Sequence, residues 1–334
     1  MIRVLHTVYP PTDQGNPFAS LLIDAVSDET DSSYFSWRAA FFQRWDVVHF
    51  QWPEKFFVGR SGMVAAAKRF RFRAWTRILR WRRTAVVWTI HNLGTHEDPG
   101  AEAARELSRL EGWVDRYVVL NPAVDVALSA PADIIPHGHY RSLIPDEVRA
   151  DPSGTRVLYF GFIREYKNVP ALVRGFAESG LGREGVDLRV VGRPHSRELA
   201  GKVEAAVADA TDKVSVRLEA VPDRVLYQEI ADSSVVILPY ADLYNSGVLI
   251  MALSMDRPVV VPRTSATEYY REQFGGDWIF LYEPPLDGTS LREAVRRAMD
   301  VPVRGRLDLA RLDWGVLASA YVDTYRRAIE ARRA

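Results

Sequence analysis

The sequence predicts an α/β protein built as two consecutive domains of similar size. Three observations predict it. The chain has 334 residues, a length that suits about two domains. Short apolar runs alternate with helix-period segments, and this series begins twice. Between the two series lies a polar stretch, 145–154, with two prolines and one glycine, which reads as a linker. The expected division is a first domain over 1–145, a second over 154–311, and a final amphipathic helix over 312–334 returning toward the first domain.

In the first series, 4–8 is an apolar strand running into the loop YPPTDQGNP, and a helix follows over 18–27. Residues 47–51 (VVHFQ) and 84–90 (TAVVWTI) are buried strands. The segment 101–113 has a helical period, with Leu107, Leu110, Trp113 and Val114 on one side and acids on the other. Strands at 117–120 and 134–135 close the series. The second series has strands at 156–160, 188–191, 214–218, 235–238, 258–261 and 278–281. Its helices are expected at 169–179, 196–208, 223–231, 247–254, 267–274 and 290–299. Two such domains place a cleft between the C-terminal ends of their strands, where open α/β sheets bind ligands.

Composition narrows the function. Hydrophobic content is 47% and charged content 26%, ordinary values for a globular protein, and the formal net charge is zero. Nucleic-acid binding is therefore not expected. The absence of cysteine rules out disulfides and thiolate metal sites. The N-terminal MIRVLHTVYPPTDQG lacks a basic region followed by an apolar core, so no signal peptide is expected. No apolar run approaches the roughly 18–20 residues that span a bilayer. The expectation is a cytoplasmic protein, peripheral on the inner face of the cell membrane.

Two segments carry chemistry suited to an anion. LPYADLYNSGVLIMALSMDRPVVVP, at 238–262, is a strand, a polar turn tipped by Asn245, Ser246 and Gly247, a helix and a second strand. Such a turn presents backbone N–H groups and the positive end of a helix dipole; it can equally be only a capped helix start. YFGFIREYKN, at 159–168, places Arg164 and Lys167 after another strand. Together they point to a nucleotide-sugar diphosphate held between two helix ends.

At these residues the chain resembles the GT-B glycosyltransferases, in particular retaining enzymes of the family 4 type (glycosyl transferases group 1). The resemblance covers most of the chain in its order of elements and is most specific in the C-terminal half. It implies two Rossmann-like domains facing across a cleft. The family's Gly at the end of the first strand of the C-terminal domain, with a Lys six residues on, is matched by Gly161 and Lys167. Arg164 is offset from the family's usual arginine position, where Phe162 stands. The resemblance assigns Arg164 and Lys167 to the leaving diphosphate, whose charge grows in the transition state. It assigns Gly15, Asn245, Ser246, Gly247 and Glu268 to the donor. The family's two glutamates around the Asn245 turn are replaced by Leu243 and Met251, with Asp242 adjacent to the first. This departure bears on the ribose, the donor base and the stereochemical outcome.

His91 follows the strand TAVVWTI, where the family's histidine contacts the transferred sugar. The cluster His91, His96 and Glu97 also admits a metal reading; the resemblance implies catalysis with neither metal nor cofactor. Trp52 and Glu54, in HFQWPE, suit an acceptor, by ring stacking and by carboxylate-to-hydroxyl hydrogen bonds. PHGHY at 136–140 resembles the segment leading to the interdomain hinge, with His137 facing the donor or only making a turn. From Lys68 to Arg83 the chain carries one Lys and seven Arg among six large apolar residues. That pattern fits a helix lying on an anionic membrane, or a partly buried helix with a solvated Arg face. The implied function is sugar transfer from a nucleotide-diphosphate donor to a hydroxyl of a glycan or lipid-linked saccharide. A non-catalytic scaffold of the same shape is the alternative that Met251 raises; a sugar-nucleotide epimerase is a third.

Overall fold

The computed structural model describes the chain except residues 11–16, 58–61, 92–99, 124–126, 149–154, 211–212, 242 and 302–304. Gly15, His96, Glu97 and Asp242 therefore lie outside the described residues, as does most of the 145–154 stretch. The chain divides into two compact units: Met1–Gly138 with Ala310–Ala334, and His139–Leu309.

The first unit holds strands β1 (Ile2–His6), β2 (Thr30–Tyr34), β3 (Val47–Phe50), β4 (Ala85–Ile90), β5 (Arg116–Val119) and β6 (Ala132–Ile134). Its helices are α1 (Phe18–Ala25), α2 (Trp37–Phe42), α3 (Gly62–Trp81) and α4 (Ala101–Glu111). The second holds β7 (Arg156–Phe160), β8 (Asp187–Val191), β9 (Val214–Arg217), β10 (Val235–Ile237), β11 (Val259–Pro262) and β12 (Ile279–Tyr282). Its helices are α5 (Val169–Ser179), α6 (Arg197–Ala208), α7 (Asp223–Ala231), α8 (Gly247–Ser254), α9 (Ser265–Phe274) and α10 (Gly288–Asp300). The last helix, α11 (Trp314–Arg333), belongs to the first unit.

Each unit has one six-stranded sheet, ordered β2-β1-β3-β4-β5-β6 and β12-β11-β10-β7-β8-β9, with every pairing parallel. Central strands such as β3, β10 and β11 are buried throughout, as strands covered on both faces should be. The expected strands appear with ends shifted by one or two residues. β2 and α2 are additions. β2 (TDSSY) has no apolar alternation, because it lies at the sheet edge and is held by its ladder to β1, Ile2 opposite Thr30.

The core of the first unit joins the sheet to α1 and α11. Val4, Val47 and Val118 meet Tyr321, Val322 and Tyr325, all fully buried. Gly138 has its place in this packing: a Cβ there would lie 2.3 Å from the Trp314 indole. α3 buries Phe72, Trp75, Thr76 and Leu79 on one face. Its Arg69 and Arg73 pair with Glu102 and Glu106 of α4. The other face exposes Met63, Phe70 and Trp81. Among the described residues no helix is long and apolar enough to cross a membrane.

Candidate functional site

In the second unit the anion-suited segments converge on Gly161. This residue ends β7 at φ +106°, a conformation that favours glycine. A Cβ there would lie 3.3 Å from Val248 Cγ2, in the first turn of α8, and 3.9 Å from the Lys167 Nζ. The turn 165–167 is tied to the loop after β10 by the Ala241 N–H donating to the Tyr166 carbonyl at 2.9 Å. Lys167 is 7% exposed, with its ammonium 5.0 Å from the Tyr240 ring centroid. Among the described residues no carboxylate pairs with it. Burial, and then the neighbouring Arg164 guanidinium, push its pKa from 10.5 down to about 8. A buried cation beside a second cation is costly unless an anion joins them. The Ser246 hydroxyl caps α8, accepting from the Leu249 N–H at 3.2 Å. The Gly247 and Val248 amides open the first turn, where helix geometry supplies no acceptor of its own.

The other donor-side candidates have partners of their own. The Asn245 side-chain Oδ1 accepts from the Tyr270 hydroxyl at 3.4 Å. Glu268, on α9, accepts from Arg263 at 2.9 Å. Met251 is buried in α8.

In the first unit the ends of β3 and β4 bring His91, Gln51 and Trp52 together. The His91 ring stacks on the Trp52 indole, centroids 4.2 Å apart, and meets Phe18 edge-on at 5.0 Å. Its Nε2 lies 2.8 Å from Gln51 Oε1. Lys55 stands over the same indole at 4.6 Å. Glu54, in the short turn Pro53–Phe56, has its carboxyl pKa raised by burial. Burial first, then the charges of His137 and Lys55, hold the His91 pKa well below 6.5, so the imidazole is neutral at physiological pH. The His137 Nδ1 lies 2.8 Å from the Gly138 carbonyl, and its ring packs on Phe18.

The family described as Glycosyl transferases group 1 matches residues 154–300. The GDP-mannose:glycolipid 4-beta-D-mannosyltransferase of Xanthomonas campestris pv. campestris is 32% identical over 328 residues, spanning 98% of this chain and 93% of that protein. This chain belongs to the GT-B glycosyltransferases of group 1. This glycosyltransferase moves a hexosyl group from a nucleotide-diphosphate donor to a hydroxyl of a glycan or lipid-linked saccharide. Solved structures agree on the fold. Anabaena HepE in complex with UDP-glucose superposes with a TM-score of 0.62 at 11% identity, over 100% of this chain and 98% of that one. An α,α-trehalose-phosphate synthase (UDP-forming) from Burkholderia vietnamiensis gives 0.65 at 13%, over 99% of each chain.

Two features of this glycosyltransferase escaped the sequence reading. Gly192, after β8, lies against the Gly161 backbone so closely that a Cβ would fall 1.9 Å from the Gly161 oxygen. Only the unremarkable tripeptide Val191-Gly192-Arg193 marks it in the sequence. Besides His91, Gln51 meets His49 and, through it, Tyr325, which is 276 positions from His49 along the chain.

Proposed function

We propose that this glycosyltransferase uses GDP-mannose as donor and a glycolipid hydroxyl as acceptor, with inversion at the anomeric carbon. The near full-length relative of that name supports the donor and the acceptor. A β-linked product from an α-linked donor asks for a single displacement. The acceptor oxygen bonds to the anomeric carbon, whose bond to the diphosphate breaks with its electrons leaving on the phosphate. The acceptor proton passes to a base.

The observation that carries this reading is Lys167, buried beside Arg164 and within reach of the opening of α8. These groups supply fixed positive charge and amide donors where negative charge develops, with no metal ion in the step. Gly161 permits the close approach. His91 contacts the sugar near the reacting carbon. Glu54, made more basic by burial, takes the acceptor proton, and Trp52 holds the imidazole against its ring. The exposed Met63, Phe70 and Trp81 face of α3 seats the enzyme on an anionic membrane surface at the inner face of the cell membrane.

Thermal stabilisation by GDP, UDP and ADP tests the donor. GDP raises the melting temperature most, because a ligand binding only the folded state stabilises it, and Lys167→Ala and Arg164→Ala abolish the rise. Equal response to all three nucleotides, or none, sinks the proposed donor.

A further inference from the structure

Of four histidines in the first unit, His6, His49 and His137 are buried and His91 is half-buried, and among the described residues no group of His, Cys, Asp or Glu is set to hold a metal ion. Three links instead join His91 to the last helix. His91 Nε2 lies 2.8 Å from Gln51 Oε1. Gln51 Nε2 lies 3.3 Å from His49 Nε2. His49 Nδ1 lies 2.9 Å from the Tyr325 hydroxyl. His49 and Gln51 are 0% and 1% exposed, and Tyr325 is 0% exposed.

We propose that Gln51, His49 and Tyr325 form a buried positioning chain that holds His91 as the Nε2–H tautomer and fixes its ring for the sugar. The donors and acceptors allow one consistent direction. The Gln51 carbonyl oxygen only accepts, so His91 donates from Nε2. The Gln51 amide donates, so His49 accepts at Nε2 and its proton sits on Nδ1. His49 then donates to the Tyr325 oxygen. Thr89, 2.8 Å from His49 Nε2, carries a hydroxyl that turns to suit. In this tautomer the accepting atom of His91 is Nδ1. Desolvation keeps His49 uncharged, so the chain does not invert by taking up a proton near neutral pH. The outer partner of a working imidazole commonly sets its tautomer and orientation. Here three residues share that task. The inner anchor sits on α11, whose return to the first sheet therefore has a consequence at the site.

The role of His91 at the sugar rests on the function proposed above; the tautomer does not, and the two are tested separately. Histidine-selective nitrogen NMR on the intact chain, with signals assigned through His91→Asn and His49→Gln, reads the tautomers directly. Near neutral pH His91 shows the neutral Nε2–H pattern and His49 the neutral Nδ1–H pattern. Tyr325→Phe keeps the ring and removes the oxygen, so it moves His49 toward Nε2–H. With GDP-mannose as donor, Tyr325→Phe lowers kcat by about tenfold, in the range typical of lost outer-shell partners, and leaves KM within about twofold. Gln51→Glu retains an acceptor for His91 but asks His49 for an Nε2 proton, so it reverses His49 alone. An Nδ1–H pattern on His91 overturns the proposal, as does a Tyr325→Phe enzyme with unchanged His49 signals and unchanged kcat. A wild-type enzyme that ignores GDP-mannose overturns the proposed donor instead, and the spectra still decide the chain.

Discussion

Lys167 sits where the fold can tolerate a cation only with a counter-charge to come. Its pKa of about 8 lies below the ordinary 10.5, so between these values the unfolded chain binds more protons than the folded one. Stability therefore rises with pH through that window, and at neutral pH the buried ammonium costs stability. A bound diphosphate reverses the balance by raising the pKa, so binding takes up a proton above about pH 8. The expected outcome is a GDP affinity that is flat from about pH 7 to 8 and weakens above it. Calorimetry in buffers of different ionisation enthalpy measures the proton uptake directly. Because Arg164 contributes to the depression, Arg164→Gln raises the Lys167 pKa, read from the lysine's own NMR titration in the free protein. A pH-independent affinity up to about pH 10 rejects Lys167 as the diphosphate's partner. Gly192 makes a companion prediction. Its replacement by Ala sets a methyl against backbone, 1.9 Å from the Gly161 oxygen, and costs about 1–3 kcal/mol by denaturant unfolding. GDP binding falls with it, since Gly161 must shift. A neutral Gly192→Ala shows that the two turns do not share one packing.

The elements differ in how plainly the sequence declared them. β3, β7, β10 and β11 announced themselves as short, mainly apolar runs, because both faces of a central parallel strand are covered. Helices α5, α7 and α8 were legible to the residue from their period and flanking turns. β2 was not, since an edge strand of Thr, Asp, Ser and Tyr draws its stability from pairing, which no local pattern encodes. The site split in the same way. Arg164 and Lys167 could be named from their place after a strand. The contact of Gly192 with Gly161 and the link from His49 to Tyr325 depend on packing between distant segments. α3 shows the limit from the other side. Its composition left membrane binding and a half-buried helix both open; in the structure Phe72 and Trp75 are buried while Phe70 and Trp81 are 73% and 78% exposed. Two of its arginines pair with α4, so charge alone is a poor guide to its surface. The double replacement Phe70→Ser with Trp81→Ser removes exposed apolar area without touching the core. It should reduce cosedimentation with phosphatidylserine vesicles by about tenfold while leaving GDP binding unchanged; equal cosedimentation rejects α3 as the membrane face.

At the scale of the whole molecule, the buried imidazoles among the described residues are confined to one unit. His6 and His137 have pKa values pushed by burial from 6.5 to about 3 and about 4. Burial also holds His49 and His91 well below 6.5. In the first unit His6, His49 and His137 are buried and His91 half-buried, whereas in the second His139 is half-buried and His195 exposed. A depressed folded pKa gives stability that is present above about 6.5 and lost as pH falls toward the folded value, because the unfolded chain takes the protons first. At pH 5 an imidazole that stays neutral in the fold costs about 2 kcal/mol, a large fraction of the stability of a typical domain once more than one is involved. Acidification should therefore unfold the first unit between about pH 6 and 5. Tryptophan fluorescence is the suitable probe, since eight of the nine tryptophans lie in that unit and only Trp278 in the other. The same chain also ties His49 to α11, so the emission of Trp314, at the start of that helix, should change in the same transition. A fluorescence midpoint below about pH 4 rejects the buried imidazoles as the groups that set the acid limit of this unit.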